Sequence, residues 1–181
     1  MDAPDAATLK GLRDRAILAI MLGCGLRRSE VARLELAHVQ GRDGRWVICD
    51  LVGKGGRMRS VVMPAWAKRA LDGWTAAAWV RVAEGPVFHQ VDKAGNLGGP
   101  LSEVGVSWLI KQYGAALGFD ALAAHDLRRT YAKLSRKGGA DLEQIQLSLG
   151  HASLTTTERY LGSALDLERA PCDALGLGVQ G

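Results

Sequence analysis

At 181 residues the chain is long enough for one globular domain with its own core, and its 48% hydrophobic and 23% charged content is that of an ordinary soluble protein. A formal charge of +4, from 23 Lys+Arg against 19 Asp+Glu, is too mild to announce a nucleic-acid partner by itself. Cys24, Cys49 and Cys172 stand far apart with no CxxC or Cys/His spacing, which argues against a disulfide framework and a zinc site and for a reducing, cytoplasmic setting; the longest apolar run, residues 16–26, is too short to cross a bilayer.

Residues 9–22 place apolar side chains at Leu9, Leu12, Ile17, Leu18, Ile20, Met21 and Leu22 with Lys10, Arg13, Asp14 and Arg15 between them. That pattern predicts an amphipathic helix ended by Gly23 and Gly25. Ser29 opens a second predicted helix over residues 30–36, with Val31, Leu34 and Val39 facing inward. Arg27 then falls in a glycine-flanked turn between two packed helices, a place that holds a side chain still. The β-branched runs 45–52 and 58–63, separated by GKGGR, predict a hairpin with Lys54 at its tip. Pro64 starts a helix to about residue 82, with Trp66, Trp74 and Trp79 on its inner face. Val87 and Phe88 read as a short strand and residues 92–100 as a Gly-rich loop. Helices follow at 102–117, 124–137, 142–149 and 153–161, broken at Gly118, Gly138-Gly139 and Gly150-His151. The fold class expected is mainly α (α+β), with a small antiparallel sheet.

The chemistry concentrates between His125 and Tyr160, in AHDLRRTYAKLSRKGGADLEQIQLSLGHASLTTTERY. His125 and Arg128 share a helical face at i, i+3. His151 follows in LGH, and Tyr160 lies nine residues after it. A guanidinium offers a planar fork that matches two phosphate oxygens. Histidines move protons or donate to a phosphate oxygen, and a phenol oxygen can attack phosphorus. Each residue alone also has a plainer reading: Arg27 as a solvated arginine, Lys54 as a turn lysine, His151 as a helix cap, Tyr160 as a core tyrosine. GKGG is not a phosphate-binding P-loop, since GxxxxGK[ST] is absent.

Order and spacing together carry more than the single residues. The chain resembles the catalytic domain of the tyrosine recombinases, or phage integrases, through Arg27 in GCGLRRSEVARL, Lys54 in LVGKGGRMRSVVMP, His125 and Arg128 in HDLRRTYA, His151 in LSLGHAS and Tyr160 in TTTERYL. The likeness runs from Leu9 to Gly162 and includes Glu30, three residues after Arg27, at a position where the family keeps a supporting acid.

The resemblance implies strand cleavage and rejoining of double-stranded DNA through a 3′-phosphotyrosine, with Tyr160 as nucleophile. Arg27, Arg128 and His151 would hold the phosphate, Lys54 would protonate the leaving oxygen and His125 would assist at the tyrosine. Arg28, Arg57, Arg59 and Arg129 are expected to contact DNA, and no cofactor or metal is expected. The organisation expected is a catalytic domain over 1–164 and a C-terminal tail over 165–181, acting as a homo-oligomer, a tetramer, on DNA, with no membrane association. The family usually adds an N-terminal helical domain that closes around DNA, and with none before Met1 a weak grip on DNA is expected. Two other outcomes stay open from the residues: a non-cleaving DNA-binding module, and topoisomerase-like relaxation by resealing the original strand.

Overall fold

Helix α1 (Leu9–Cys24) runs through the middle of the domain. Thr8 caps it by accepting a hydrogen bond from the Gly11 N–H at 3.0 Å. Ala16, Ile17, Ala19, Ile20, Met21 and Cys24 are fully buried, and Leu18 and Leu22 are half-buried against the same core. Each large side chain fully buried there contributes roughly 1.5–3 kcal/mol. The structure, a computed structural model, describes residues 3–53, 56, 58–78, 85–151, 156, 157 and 161.

Not every charge on α1 faces water. Asp14 is 0% exposed, and it is matched rather than stranded. Its Oδ1 accepts from Arg13 Nε and NH2 (2.8 and 2.6 Å), while its Oδ2 accepts from Lys10 Nζ (2.8 Å) and the Tyr113 hydroxyl (3.0 Å). Arg13 also donates to the His89 carbonyl at 3.1 Å, so one buried cluster ties α1 to two later parts of the chain.

The helix expected at 30–36 is shorter. Helix α2 spans Arg28–Ala32, and a 3₁₀ turn follows at Leu36–His38. Helical bonding stops because the next backbone groups have other partners: the Val87 N–H donates to the Leu34 carbonyl at 2.7 Å, and Glu35 bridges Pro86. A strand absent from the sequence reading comes next. Strands β1 (Val39–Arg42), β2 (Arg45–Val52) and β3 (Met58–Met63) form an antiparallel sheet in that order. Asp43 and Gly44, both with positive φ (48° and 73°), make the two-residue turn from β1 to β2. The β2–β3 pairing shifts register between Ile48 and Leu51, where Asp50 takes φ 57°. This bulge turns two successive residues, Ile48 and Cys49, inward and bends the strand ahead of the hairpin tip.

Helix α3 (Ala65–Ala77) lies along α1. Trp74 is fully buried, donates Nε1–H to the Val87 carbonyl (2.9 Å) and stacks on Phe88. Trp66 is 42% exposed, contrary to the inward position expected for it, and Trp79 lies outside the described residues. Val87 and Phe88 are core, and the strand β4 begins one residue later (His89–Val91), paired with β5 (Leu97–Pro100). The stretch expected as a loop therefore holds a hairpin, whose reversal is built by Asp92 Oδ1 accepting from the Ala94 and Asn96 N–H groups at 2.8 and 2.9 Å. Helices α4 (Glu103–Ala116), α5 (Ala124–Lys137) and α6 (Leu142–Leu149) stand within a residue of their predicted bounds. The last predicted helix, 153–161, falls almost wholly outside the described residues. Among the described residues, no helix is long and apolar enough to cross a membrane.

Candidate active site

Two glycine caps deliver the site. Helix α1 ends at Gly25 (φ 63°), where a Cβ would meet the Tyr131 ring of α5 at 2.6 Å. Helix α6 ends at Gly150 (φ 62°), where a Cβ would meet Arg59 Cδ at 2.8 Å. Only a residue without a side chain suits both the left-handed backbone and the close approach. Arg27 stands two residues beyond the first cap and His151 one beyond the second, so both are held at the ends of packed helices.

Arg27 is anchored by Glu30. The Arg27 backbone N–H donates to Glu30 Oε2 at 2.7 Å, and its NH1 donates to Oε1 at 2.8 Å. Arg128, only 3% exposed, projects from α5 and donates to the carbonyls of Gly25 and Leu149. Arg27 NH2 approaches the same Leu149 carbonyl at 3.5 Å, so the C-terminal end of α6 holds both guanidiniums side by side. Arg27, Arg28, Ser29, Ser107, Lys111, His125 and Arg128 face a common cleft of about 460 Å³ between α2, α4 and α5. Arg28, Arg27, Lys111 and Arg128 meet one carboxylate there, Glu103, which gives the cleft an anion-binding character. Arg28 reaches across it to Ser107 Oγ (3.2 Å) and Glu103 (3.7 Å).

His151 sits on the same cationic group. Burial, then Arg128, Arg27, Arg59 and His125, lower its pKa to about 4, which makes the imidazole neutral at pH 7. Its Nδ1 lies 3.0 Å from the Oγ1 of the buried Thr157. His125, more exposed, has its pKa lowered by burial and by Arg129 and Arg128. Glu30 is the opposite case: burial raises its pKa, but hydrogen bonds from Arg59 and Arg27 and the charge of Arg59 outweigh that and hold it at about 2.

Of the residues singled out in the sequence, Arg27, Glu30, Arg28, His125, Arg128 and His151 come together. Arg129 is exposed on α5, while Lys54, Arg57 and Tyr160 lie outside the described residues. Arg59 departs from its expected place on a DNA-contacting surface. Its side chain is 7% exposed and turns inward, because Glu30 and the Ser148 carbonyl take all three of its nitrogens. Ser107, Lys111 and Thr157 were not singled out. Ser107 and Lys111 are four apart on α4 and so share a face, which was the one local signal available for them. Among the described residues, no group of three or more His, Cys, Asp or Glu stands ready to hold a metal ion.

Comparison with known proteins shows the family and the fold. The model of the phage integrase family matches residues 1–165. A "Tyrosine recombinase XerC" of Myxococcus xanthus is 36% identical over 88% of this chain and 53% of its own length. A "Tyrosine recombinase XerD" of Xanthomonas axonopodis pv. citri is 35% identical over 87% of this chain and 53% of its own length. Among solved structures, the XerH site-specific recombinase bound to its palindromic difH substrate, a post-cleavage complex, superimposes with a TM-score of 0.70 at 24% identity, covering 89% of this chain and 44% of that one. XerA recombinase gives 0.67 at 24% identity, covering 88% and 56%. The two solved structures share the fold. The chain belongs to the phage integrase family, and it spans about half the length of the curated relatives it matches.

Proposed function

We propose that this chain cleaves and rejoins duplex DNA through a covalent bond to Tyr160. The phenol oxygen attacks the scissile phosphorus, the bond from phosphorus to the 5′-oxygen breaks, and a 3′-phosphotyrosine and a free 5′-hydroxyl result. Attack by a 5′-hydroxyl on the phosphotyrosine reverses the sequence and releases the tyrosine, so bond energy is stored in the enzyme. Arg27 and Arg128 stabilise the charge that builds on the nonbridging oxygens, and preorganised donors are effective because they need no rearrangement. We assign neutral His151 the tautomer in which Nδ1 accepts from the Thr157 hydroxyl, which leaves its hydrogen on Nε2, where it can donate to the phosphate. His125 takes the phenol proton, and Lys54 returns a proton to the leaving 5′-oxygen.

One observation supports this reading above the others. Arg27, His125 and Arg128, from segments separated by about a hundred residues of chain, open into a single cationic cleft, and His151 lies within reach of the charges of Arg128 and Arg27. Residues 1–164 form the catalytic unit and 165–181 a tail, and the active assembly is a homotetramer on DNA in the cytoplasm. The exposed Arg28 and Arg129, together with Arg57, contact the flanking backbone. A labelled duplex with a nick beside the scissile phosphate tests this. The wild-type chain should give a protein–DNA species stable in a denaturing gel, whereas Tyr160→Phe should bind the duplex and give none. An adduct retained by the Phe variant would overturn the assignment.

A further inference from the structure

We propose that Arg59 is a positioning residue of this site, which keeps the Arg27 guanidinium aligned and positively charged by holding Glu30, and does not itself touch DNA. The inference rests on the strand-cleavage reading above. Glu30 receives four donors, two on each oxygen. Oε1 accepts from Arg27 NH1 (2.8 Å) and Arg59 NH1 (2.7 Å), and Oε2 accepts from the Arg27 backbone N–H (2.7 Å) and Arg59 NH2 (2.8 Å). That fills the acceptor capacity of a carboxylate and fixes its plane. The charge count matters as much as the geometry. A buried carboxylate beside Arg27 alone would cancel its charge and leave little to attract a phosphate. With Arg59 forked onto the same carboxylate, the trio of Arg27, Glu30 and Arg59 keeps one net positive charge, and Arg27 is its more exposed arm (32% against 7% for Arg59).

Arg59 also reaches the second half of the site. Its Nε donates to the Ser148 carbonyl at 2.7 Å, and its Cδ packs against Gly150, the residue before His151. One side chain on β3 thus spans the base of α2 and the end of α6, the two segments that present Arg27 and His151. Lysine keeps the charge here but has no fork with which to bind both carboxylate oxygens and the carbonyl.

The test combines single-turnover adduct formation at saturating nicked duplex with the salt dependence of duplex affinity, using the full chain. Arg59→Met should lose about 10²-fold in cleavage, as for the loss of a preorganised donor. Arg59→Lys should fall in between and keep the wild-type salt slope, whereas Arg59→Met should also lose slope, because Glu30 then cancels Arg27. In Arg59→Met/Glu30→Gln the carboxylate that cancels Arg27 is gone, so the wild-type slope should return and cleavage should recover at least about tenfold over Arg59→Met, a rescue that loss of packing would not give. A slope still reduced by about 0.9 in that double variant would make Arg59 a phosphate contact and overturn the proposal. So would a folded double variant no more active than Arg59→Met. Should the Met variants fail to fold, Arg59→Lys decides: full cleavage, or a reduced slope, overturns the proposal. A wild-type chain that binds duplex and forms no adduct would end the strand-cleavage reading and with it this one, while a lowered slope in the double variant or in Arg59→Lys would count against Arg59 alone.

Discussion

At the residue scale the site is a problem of stacking like charges, and Glu30 is its solution. Its carboxyl is held at about 2 against an ordinary 4.5, and it is nearly fully buried, so its ionised form contributes on the order of 3 kcal/mol to folding. The folded value lies below the unfolded one. The contribution is therefore present above about pH 4.5 and is lost as pH falls from there toward 2. Glu30→Gln should flatten the fall in unfolding free energy across that window, and an acid limb identical to wild type would contradict the assignment. His151 should titrate near pH 4 in the DNA-free chain, followed through its ring resonances, because burial and Arg128 both resist its protonation. A midpoint near 6.5 would mean that the guanidiniums do not surround it. Arg128→Lys should reduce cleavage by about 10²–10³ with little effect on duplex affinity, since the charge stays and the fork is lost. Near-normal cleavage by that variant would place Arg128 outside the phosphate site. Local spacing made His125 and Arg128 legible, at i, i+3, whereas Arg27, Glu30 and His151 were carried by the likeness to the family. Arg59 and Asp14 were legible by neither route. Whether a charged side chain points to water or to a buried partner depends on contacts 29 residues away for Arg59 and 99 for the Asp14–Tyr113 bond, and no local pattern records them.

At the element scale, α5 and α6 were placed to the residue, because each has a clear break at Gly138 or Gly150 and a strong apolar period. Helix α5 also matches its own dipole, with Asp126 in the first turn and Arg136 and Lys137 in the last. The errors fell where long-range pairing overrode local preference. Leu34 and Glu35 leave the helix to pair with Pro86 and Val87, and residues 97–100 join a strand although they read as a loop. The β1–β2 turn was a different matter: Asp43-Gly44 is a strong hairpin signal that was present in the sequence and passed over. The caps that deliver the site give a direct test. Gly25→Ala meets both a left-handed backbone and the Tyr131 ring, so it should cost more than the roughly 1 kcal/mol of the backbone term alone, measured by denaturant unfolding. An unchanged midpoint would show that α1 and α5 are not packed as described.

At the scale of the whole molecule, a charge of +4 is modest, and its value lies in placement. Arg28, Arg27, Lys111 and Arg128 gather at one cleft, while Asp14 and Glu30 are neutralised inside. Duplex binding should accordingly be weak and steeply salt-dependent, since each phosphate contact releases counterions. Binding that is insensitive to salt would contradict the cleft as the DNA surface. Because the arginines supply the stabilising charge and a neutral His151 adds a hydrogen bond, cleavage should also persist in EDTA. The central claim is a covalent bond between Tyr160 and a 3′-phosphate, and its most direct test is to digest the adduct formed on the nicked duplex and map the modified peptide by mass spectrometry. The account predicts a nucleotide joined through its 3′-phosphate to Tyr160 in the TTTERY segment. Attachment at Tyr113 or Tyr131, or linkage through a 5′-phosphate, would contradict it.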